Sequence, residues 1–213
     1  MELVEAIESV RAVRQFRDQK PDVGTITSLI EAAIAAPTAS NRQGWRFIFI
    51  DDTALMKRFV DMGASSTILK APVGLLVLYD NRTSNTAYFD HHQSAAASIQ
   101  NILLRAQELG LGCCWICRLP KRSRLKRLLR IPWSYDPIAY IALGYPEGDG
   151  KKKGNRKYTP SQVLAANRFD FPDVETDWLL RLKWSLQLHR KRLIRWFYFN
   201  GTDGIRRRLE TWL

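Results

Sequence analysis

Ala36-Pro37-Thr38-Ala39-Ser40-Asn41-Arg42-Gln43-Gly44-Trp45-Arg46-Phe47 separates a helix-like pattern from a strand-like run. Residues 26–35 before it repeat apolar side chains at helical spacing, and residues 47–50 are continuously apolar. A plain connector between two such elements does not need this many hydroxyl and amide side chains. We therefore expect a loop whose side-chain and backbone donors hold a polar, planar ligand.

Outward from this loop, helical and strand-like segments alternate along the chain. Apolar periodicity predicts helices over residues 3–10, 26–35, 53–62, 90–109 and 125–129. Continuous apolar runs predict strands over residues 46–50, 73–79, 111–117 and 137–143. Thr25 or Thr27 is the predicted cap of the second helix, and Gly110 the residue that ends the fourth. This order predicts a sandwich with a central sheet between helices.

Length and composition are those of a globular protein with one sizeable domain and an appendage. The chain has 213 residues, of which 46% are hydrophobic. It contains no apolar run of the roughly 18–20 residues that a membrane span requires. Its first residues are acidic, unlike those of a secretory signal, so we expect a cytoplasmic protein.

The charge is strongly positive and unevenly distributed. The net charge is +12, and residues 118–130 contain seven basic residues and no acidic one. Such an excess raises affinity for polyanions in general, although solvated basic surfaces are the commoner explanation. No recognised module for reading nucleic acid accompanies the charge, so we expect no specific nucleic-acid binding.

The three cysteines lie close together as Cys113, Cys114 and Cys117. The last two form a C-x-x-C pair, which invites a metal or redox interpretation. There is no second cysteine pair, the histidines are distant in sequence, and the pair lies in a strand-like run. We therefore predict no metal site and no disulfide, and we interpret all three as small buried side chains.

Four segments of the chain resemble the nitroreductase family, whose members are flavoproteins that bind FMN. Pro37, Asn41, Gln43 and Trp45 match its Ala-Pro-Ser-x-x-Asn-x-Gln-Pro-Trp loop. Residues 11–16 resemble its N-terminal arginine signature, residues 94–112 its long central helix with a Gly-Leu-Gly exit, and residues 143–146 its Leu-Gly-Tyr-Pro. The matches span residues 3 to about 164 and imply an α+β fold with a mostly antiparallel sheet.

The resemblance implies a set of FMN-binding residues. Those of the N-terminal signature would contact the phosphate, the ribityl chain and the O2 side of the ring, and the loop would hold the ring. The backbone at Ile116 and Cys117 would lie near flavin N5, and a late basic pair would close over the phosphate. By this resemblance the cofactor-binding residues are Arg11, Ala12, Arg14, Pro37, Thr38, Ala39, Asn41, Gln43, Ile116, Cys117, Lys153 and Arg156.

Three positions depart from the family pattern. Val10 replaces the first arginine of the signature, Ala12 replaces its serine, and Cys117 stands where the family usually has glycine. The first two changes remove expected phosphate contacts, and the third could narrow the pocket. An alternative is therefore a degenerate flavin fold that acts as a binding module for a partner or a membrane surface.

The resemblance also implies the chemistry. Relatives transfer a hydride from NAD(P)H to flavin N5 and then reduce a small nitro- or quinone-like acceptor by a ping-pong mechanism. The cofactor performs the difficult step, so no catalytic acid, base or nucleophile is predicted among the side chains. The small residues of the central helix suit a homodimer interface, with the flavin in a cleft built by both subunits.

Beyond the resemblance, the C-terminal segment forms a separate unit in the sequence. We predict an FMN-binding domain over residues 1–166 and a basic amphipathic helical extension over residues 167–213. Its apolar face contains Trp178, Leu179, Leu182, Leu186, Leu193 and Phe197, with Lys and Arg interspersed. Three roles stay open: an arm across the partner subunit, a helix lying on an anionic membrane as a peripheral protein, and a docking surface for an acidic protein.

Overall fold

The computed structural model describes residues 2–83, 85, 87–148, 157–169 and 171, together with 182, 185–187, 189, 190 and 193. Contacts divide the chain into two units, Met1–Gly154 and Asn155–Leu213. The second unit contains a short helix, Pro160–Val163, which begins with a reciprocal capping box between Thr159 and Gln162. Within the helical extension predicted over 167–213, the seven described residues between 182 and 193 are helical, and most of the remainder lies outside the described residues.

A four-stranded antiparallel sheet forms the centre of the first unit. Its strands are β1 (Trp45–Ile50), β2 (Val73–Asp80), β3 (Gly112–Ile116) and β4 (Tyr135–Gly144). Their spatial order is β1-β2-β4-β3, and every neighbouring pair is antiparallel. The predicted α+β sandwich is thereby confirmed, with β1 and β3 at the two edges.

Among the described residues of this unit, the α-helices around the sheet are α1 (Leu3–Ser9), α2 (Val23–Ile34), α3 (Thr53–Asp61), α4 (Asp90–Glu108) and α5 (Arg122–Leu129). Successive residues of a strand point to opposite faces. On one face, Leu75 and Val77 of β2 share a core cluster with residues of α2 and α4. On the other, Leu76 and Leu78 share a cluster with residues of α3 and α5. Helices on both faces explain why β2 is apolar without alternation.

The start of α2 corrects one prediction. Its N-cap is Asp22 rather than Thr25 or Thr27. The carboxylate of Asp22 accepts hydrogen bonds from the backbone N–H of Thr25 at 2.8 Å and from the Thr25 hydroxyl at 2.8 Å. These bonds lower the pKa of Asp22, and the hydrogen bond from the Thr25 backbone makes the larger contribution. The helix therefore begins three residues before the predicted start, because the aspartate satisfies its free N–H groups.

Helix α4 buries one face and leaves a second apolar stripe partly accessible. Ala95, Ile99, Ile102 and Ala106 are fully buried against the sheet. The other stripe is half-buried and consists of Ala96, Ala97, Leu103 and Leu104. The helix ends as predicted, with Gly110 at φ 72° in the left-handed region. Helical periodicity alone could not distinguish a helix buried in one chain from one with an accessible apolar stripe.

A glycine lets the N-terminal arginine segment lie directly against β3. Ala12 pairs in parallel with Cys113, and the Val13 N–H donates to the Cys113 carbonyl at 2.8 Å. A Cβ atom on Gly112 would lie 2.8–2.9 Å from the side chain of Val13. Only glycine therefore allows this close approach, which places the arginines beside the edge of the sheet.

Within the described part of the chain, no helix is both long and apolar enough to cross a membrane.

Candidate functional site

The arginine segment carries an unfilled hydrogen-bond donor. Arg11 is half-buried, and its Nη1 donates to the Val10 carbonyl at 2.5 Å. Its Nε is buried and has no acceptor among the described residues. A buried guanidinium N–H without an acceptor is unfavourable, so an anion at this position would complete its hydrogen bonding. This geometry fits the phosphate of FMN, which the resemblance assigns to this segment.

The end of β3 lies beside the same segment. Ile116 is buried and pairs with Tyr140, whereas Cys117 is exposed immediately after the strand ends. Ile116 is three residues beyond Cys113, so it lies about 10 Å along the strand from the contact with Ala12. Ala12 and Arg14 are both exposed. The structure thus gathers Arg11, Ala12, Arg14, Ile116 and Cys117 at the β3 edge.

The cysteine prediction is correct for two residues and wrong for the third. Cys113 and Cys114 are buried free thiols, and burial raises the pKa of each. Both therefore stay protonated and act as small apolar side chains. Cys117 is exposed because β3 ends one residue earlier, at Ile116. Its thiol borders the position that the resemblance assigns to flavin N5.

The loop before β1 adopts an unusual backbone conformation. A 3₁₀ turn occupies Ala39–Asn41. Ser40, Asn41 and Gln43 have φ angles of 51°, 53° and 49°, in the left-handed region that residues other than glycine rarely adopt. Such conformations persist only where surrounding contacts hold them, and they concentrate at functional sites.

Hydrogen bonds hold this loop in place. The Thr38 hydroxyl accepts from the Gln43 backbone N–H at 3.2 Å, and the Gln43 amide donates to Asn41 Oδ1 at 2.7 Å. The Ala39 N–H donates to the Ser94 hydroxyl at 3.0 Å, which ties the loop to the first turns of α4. The predicted ligand residues are therefore pre-positioned. Ser94 is a supporting residue that sequence reasoning missed, because nothing in the local pattern links it to residue 39.

The two halves of the predicted site lie at opposite edges of the sheet. The loop containing Pro37, Thr38, Ala39, Asn41 and Gln43 leads into β1, whereas the arginine segment lies beside β3. Three strand-to-strand steps of about 4.8 Å separate β1 from β3, or about 14 Å in total. The structure therefore does not bring the halves together within one chain. The remaining predicted pair, Lys153 and Arg156, lies outside the described residues.

A polar cluster that the sequence did not predict lies at the start of β4. Ligand atoms of His91, His92 and Asp136 lie within 4.8 Å of one another. Asp136 is buried, but it already pairs with Arg122 Nη1 at 2.6 Å and Lys126 Nζ at 2.8 Å. A divalent cation would have to compete with both side chains for the carboxylate. We therefore interpret the cluster as an ion-pair network that fastens α5 to β4.

The charges in this network shift the pKa of its members. Burial acts to raise the pKa of Asp136, but hydrogen bonds from Lys126 and Asn81 and the charges of Arg122 and Lys126 outweigh it, and the pKa is lowered. Burial, followed by the charges of His91 and Arg122, lowers the pKa of His92. Asp136 therefore stays ionised and His92 neutral near neutral pH.

With this geometry established, similarity to known proteins decides the family. The family model described as the nitroreductase family matches residues 7–67 and 61–145, which together are more than half of the chain. The chain belongs to the nitroreductase family. Membership confirms the predicted family, and with it the enzyme class: an NAD(P)H-dependent oxidoreductase of the nitroreductase type.

Three relatives illustrate the similarity. A protein of Methanothermobacter thermautotrophicus, provisionally named NADH dehydrogenase/NAD(P)H nitroreductase, is 31% identical over 150 residues, covering 68% of this chain and 78% of that protein. FMN reductase (NADPH) of Bacillus subtilis is 24% identical over 229 residues, covering 98% of this chain and 87% of that protein. The crystal structure of a BluB-like flavoprotein from Clostridium difficile 630 has a TM-score of 0.67 at 25% identity, covering 78% of this chain and 98% of that one.

Proposed function

We propose that this nitroreductase-family chain binds FMN, accepts electrons from NAD(P)H and reduces a small nitro- or quinone-like acceptor in a ping-pong cycle. The observation that best supports FMN is the buried Arg11 Nε, which lacks an acceptor beside the β3 edge. When bound, FMN supplies a ring that takes up a hydride from NAD(P)H and passes the electrons to the acceptor. The protein contributes binding, orientation and exclusion of water.

Each group of residues has a distinct role in this proposal. Arg11 and Arg14 hold the phosphate, with Lys153 and Arg156 as further phosphate ligands. The loop residues Thr38, Asn41 and Gln43 present hydroxyl and amide groups to the edge of the ring. The backbone after Ile116 faces the reactive part of the ring. There, Cys117 carries a thiol side chain at the position where the family usually has glycine. Residues 1–166 form the FMN-binding domain, and residues 167–213 form the helical extension.

We further propose that the protein is a homodimer and that each FMN site uses both subunits. The separation of the loop from the arginine segment by the width of the sheet supports this arrangement. In a symmetric dimer, the loop of one subunit can meet the β3 edge of the other, so that two equal sites form. The half-buried stripe of α4 is the candidate interface, because Ala96 and Ala97 permit close helix contact and Leu103 and Leu104 add apolar surface.

Flavin retention tests the proposed cofactor. The purified protein is incubated with FMN and desalted, and its near-ultraviolet and visible absorbance is compared before and after. We expect retained flavin bands that NADH or NADPH bleaches and that a quinone or nitroaromatic acceptor restores. A colourless protein after this treatment would contradict the proposal. It would favour the degenerate binding module. The reason would then be that Val10 and Ala12 lack the side chains with which relatives bind the phosphate.

A further inference from the structure

The exposed side of α5 and its flanking residues carry a cluster of basic side chains. We call it the α5 basic surface; its residues are Arg118, Lys121, Arg124, Arg127 and Arg130, and all five are exposed. The other two basic residues of this segment, Arg122 and Lys126, pair with Asp136. The five residues of the α5 basic surface therefore carry positive charges that do not take part in the ion-pair network of Asp136.

No carboxylate neutralises the α5 basic surface among the residues that the structure describes. Residues 118–130 include no acidic residue, and the nearby Asp136 is only 5% exposed and already has two cationic partners. Arg118 donates its Nε to the neutral carbonyl of Gly63, which leaves its charge uncompensated. At physiological ionic strength, the potential of such a patch extends about 8 Å into solvent. The patch therefore attracts an anionic surface.

The shape and composition of the patch indicate which kind of anion. The apolar residues of α5 face inward: Leu125 is fully buried, and Leu128 and Leu129 pack against the core. The exposed side of α5 thus lacks the apolar face that an interfacial membrane helix inserts. Within residues 118–133, Trp133 is the one aromatic side chain and is 76% exposed, whereas single-stranded nucleic acid needs successive stacking platforms. Arginine with one exposed tryptophan is instead typical of protein interfaces.

We propose that the α5 basic surface is a docking site for an acidic protein. Arg118 directly follows Cys117, so a redox protein bound there would bring its own centre close to the proposed flavin position. This placement rests on the proposed function, whereas docking itself does not require FMN. The α5 basic surface belongs to the first unit, and the basic C-terminal extension belongs to a different stretch of the sequence.

Charge reversal on the exposed side of α5 tests the proposal. The probe is an acidic [2Fe–2S] ferredoxin, and its affinity is measured at low salt with the wild type and with Lys121→Glu/Arg124→Glu/Arg127→Glu. We expect measurable binding that weakens at least about tenfold between low and physiological salt, and at least about tenfold in the triple variant. The double variant Arg124→Lys/Arg127→Lys keeps the charge and is expected to bind like the wild type. Thermal unfolding verifies that each variant is folded.

A second charge reversal controls for net charge. Arg206→Glu/Arg207→Glu/Arg208→Glu removes the same charge from the C-terminal extension and is expected to change affinity by less than about twofold. Equal loss in both triple variants, or no loss in the α5 variant, would overturn the proposal. So would the absence of ferredoxin binding, including the case in which phosphatidylserine vesicles or a single-stranded oligonucleotide bind instead. Repeating the measurement with FMN-free protein separates this result from a failure of the proposed function.

Discussion

Arg11→Gln is expected to lower the affinity for FMN by about 10- to 150-fold. Arg11 Nε is buried without an acceptor, and the guanidinium is positioned for a charge-assisted hydrogen bond to a phosphate. Hydrogen bonds to charged groups contribute about 1.5–3 kcal/mol, which corresponds to this range of affinity. The measurement is a fluorescence titration of FMN, because binding changes the emission of the flavin. Glutamine keeps much of the side-chain volume but removes the charge.

Arg58→Gln is the matched control for this variant. Arg58 is exposed on α3, and it is not among the proposed phosphate ligands. We expect the affinity of this variant for FMN to stay within about twofold of the wild type, because Arg58 is exposed to solvent and its charge is screened there. If Arg11→Gln bound FMN as tightly as Arg58→Gln, the phosphate would not lie at the arginine segment.

Asp136→Asn is expected to lower the free energy of unfolding by about 2–3 kcal/mol. Asp136 is buried, and its loss leaves Lys126, only 17% exposed, without its carboxylate partner. Removing one member of a fully buried pair costs about 3–5 kcal/mol, and the half-exposed Arg122 reduces this figure. Urea unfolding measures the change. As a control, Asp51→Asn removes an exposed partner of Lys20 and should cost less than about 1 kcal/mol.

The contribution of Asp136 should also depend on pH in a defined direction. Its pKa is lowered in the folded protein, so it binds protons more weakly there than in the unfolded chain. The stabilisation is complete above the unfolded-state pKa of about 3.9 and is lost as the pH falls through the lower folded value. The difference in stability between wild type and Asp136→Asn should therefore shrink in acid. A difference that grows with acid would contradict the assigned ion pairs.

The elements that the sequence predicted well are those with a strong local signal. Residues 73–79 read as a strand because a sheet covered on both faces tolerates only apolar side chains there. Residues 90–109 read as a helix because a long periodic pattern ends at a glycine. The loop at residues 37–45 was found because its residue types match a family motif at fixed spacing. Each of these signals lies within one short window of sequence.

What the sequence could not predict depends on contacts between distant segments. Asp22 and Thr25 are both suitable caps by type, and only the backbone geometry shows that the aspartate accepts from the threonine. Asp136 begins β4 and meets His91 and His92 at the start of α4, although more than 40 residues separate them in sequence. The separation of the loop from the arginine segment likewise follows from the strand order, which no local pattern encodes.

Mixing two defective variants tests most directly whether FMN binds in a site shared by two subunits. Arg11→Gln disables the half at the β3 edge, and Asn41→Gly removes a loop amide while tolerating the left-handed backbone of residue 41. In a symmetric dimer, a mixed pair contains one site with both halves intact, so co-refolding equal amounts should restore about a quarter of the wild-type FMN sites. Flavin retained after desalting is compared with that of each variant refolded alone. Restoration to about this level is the expected result. Retention no higher than in the separate variants would contradict a site built from both subunits.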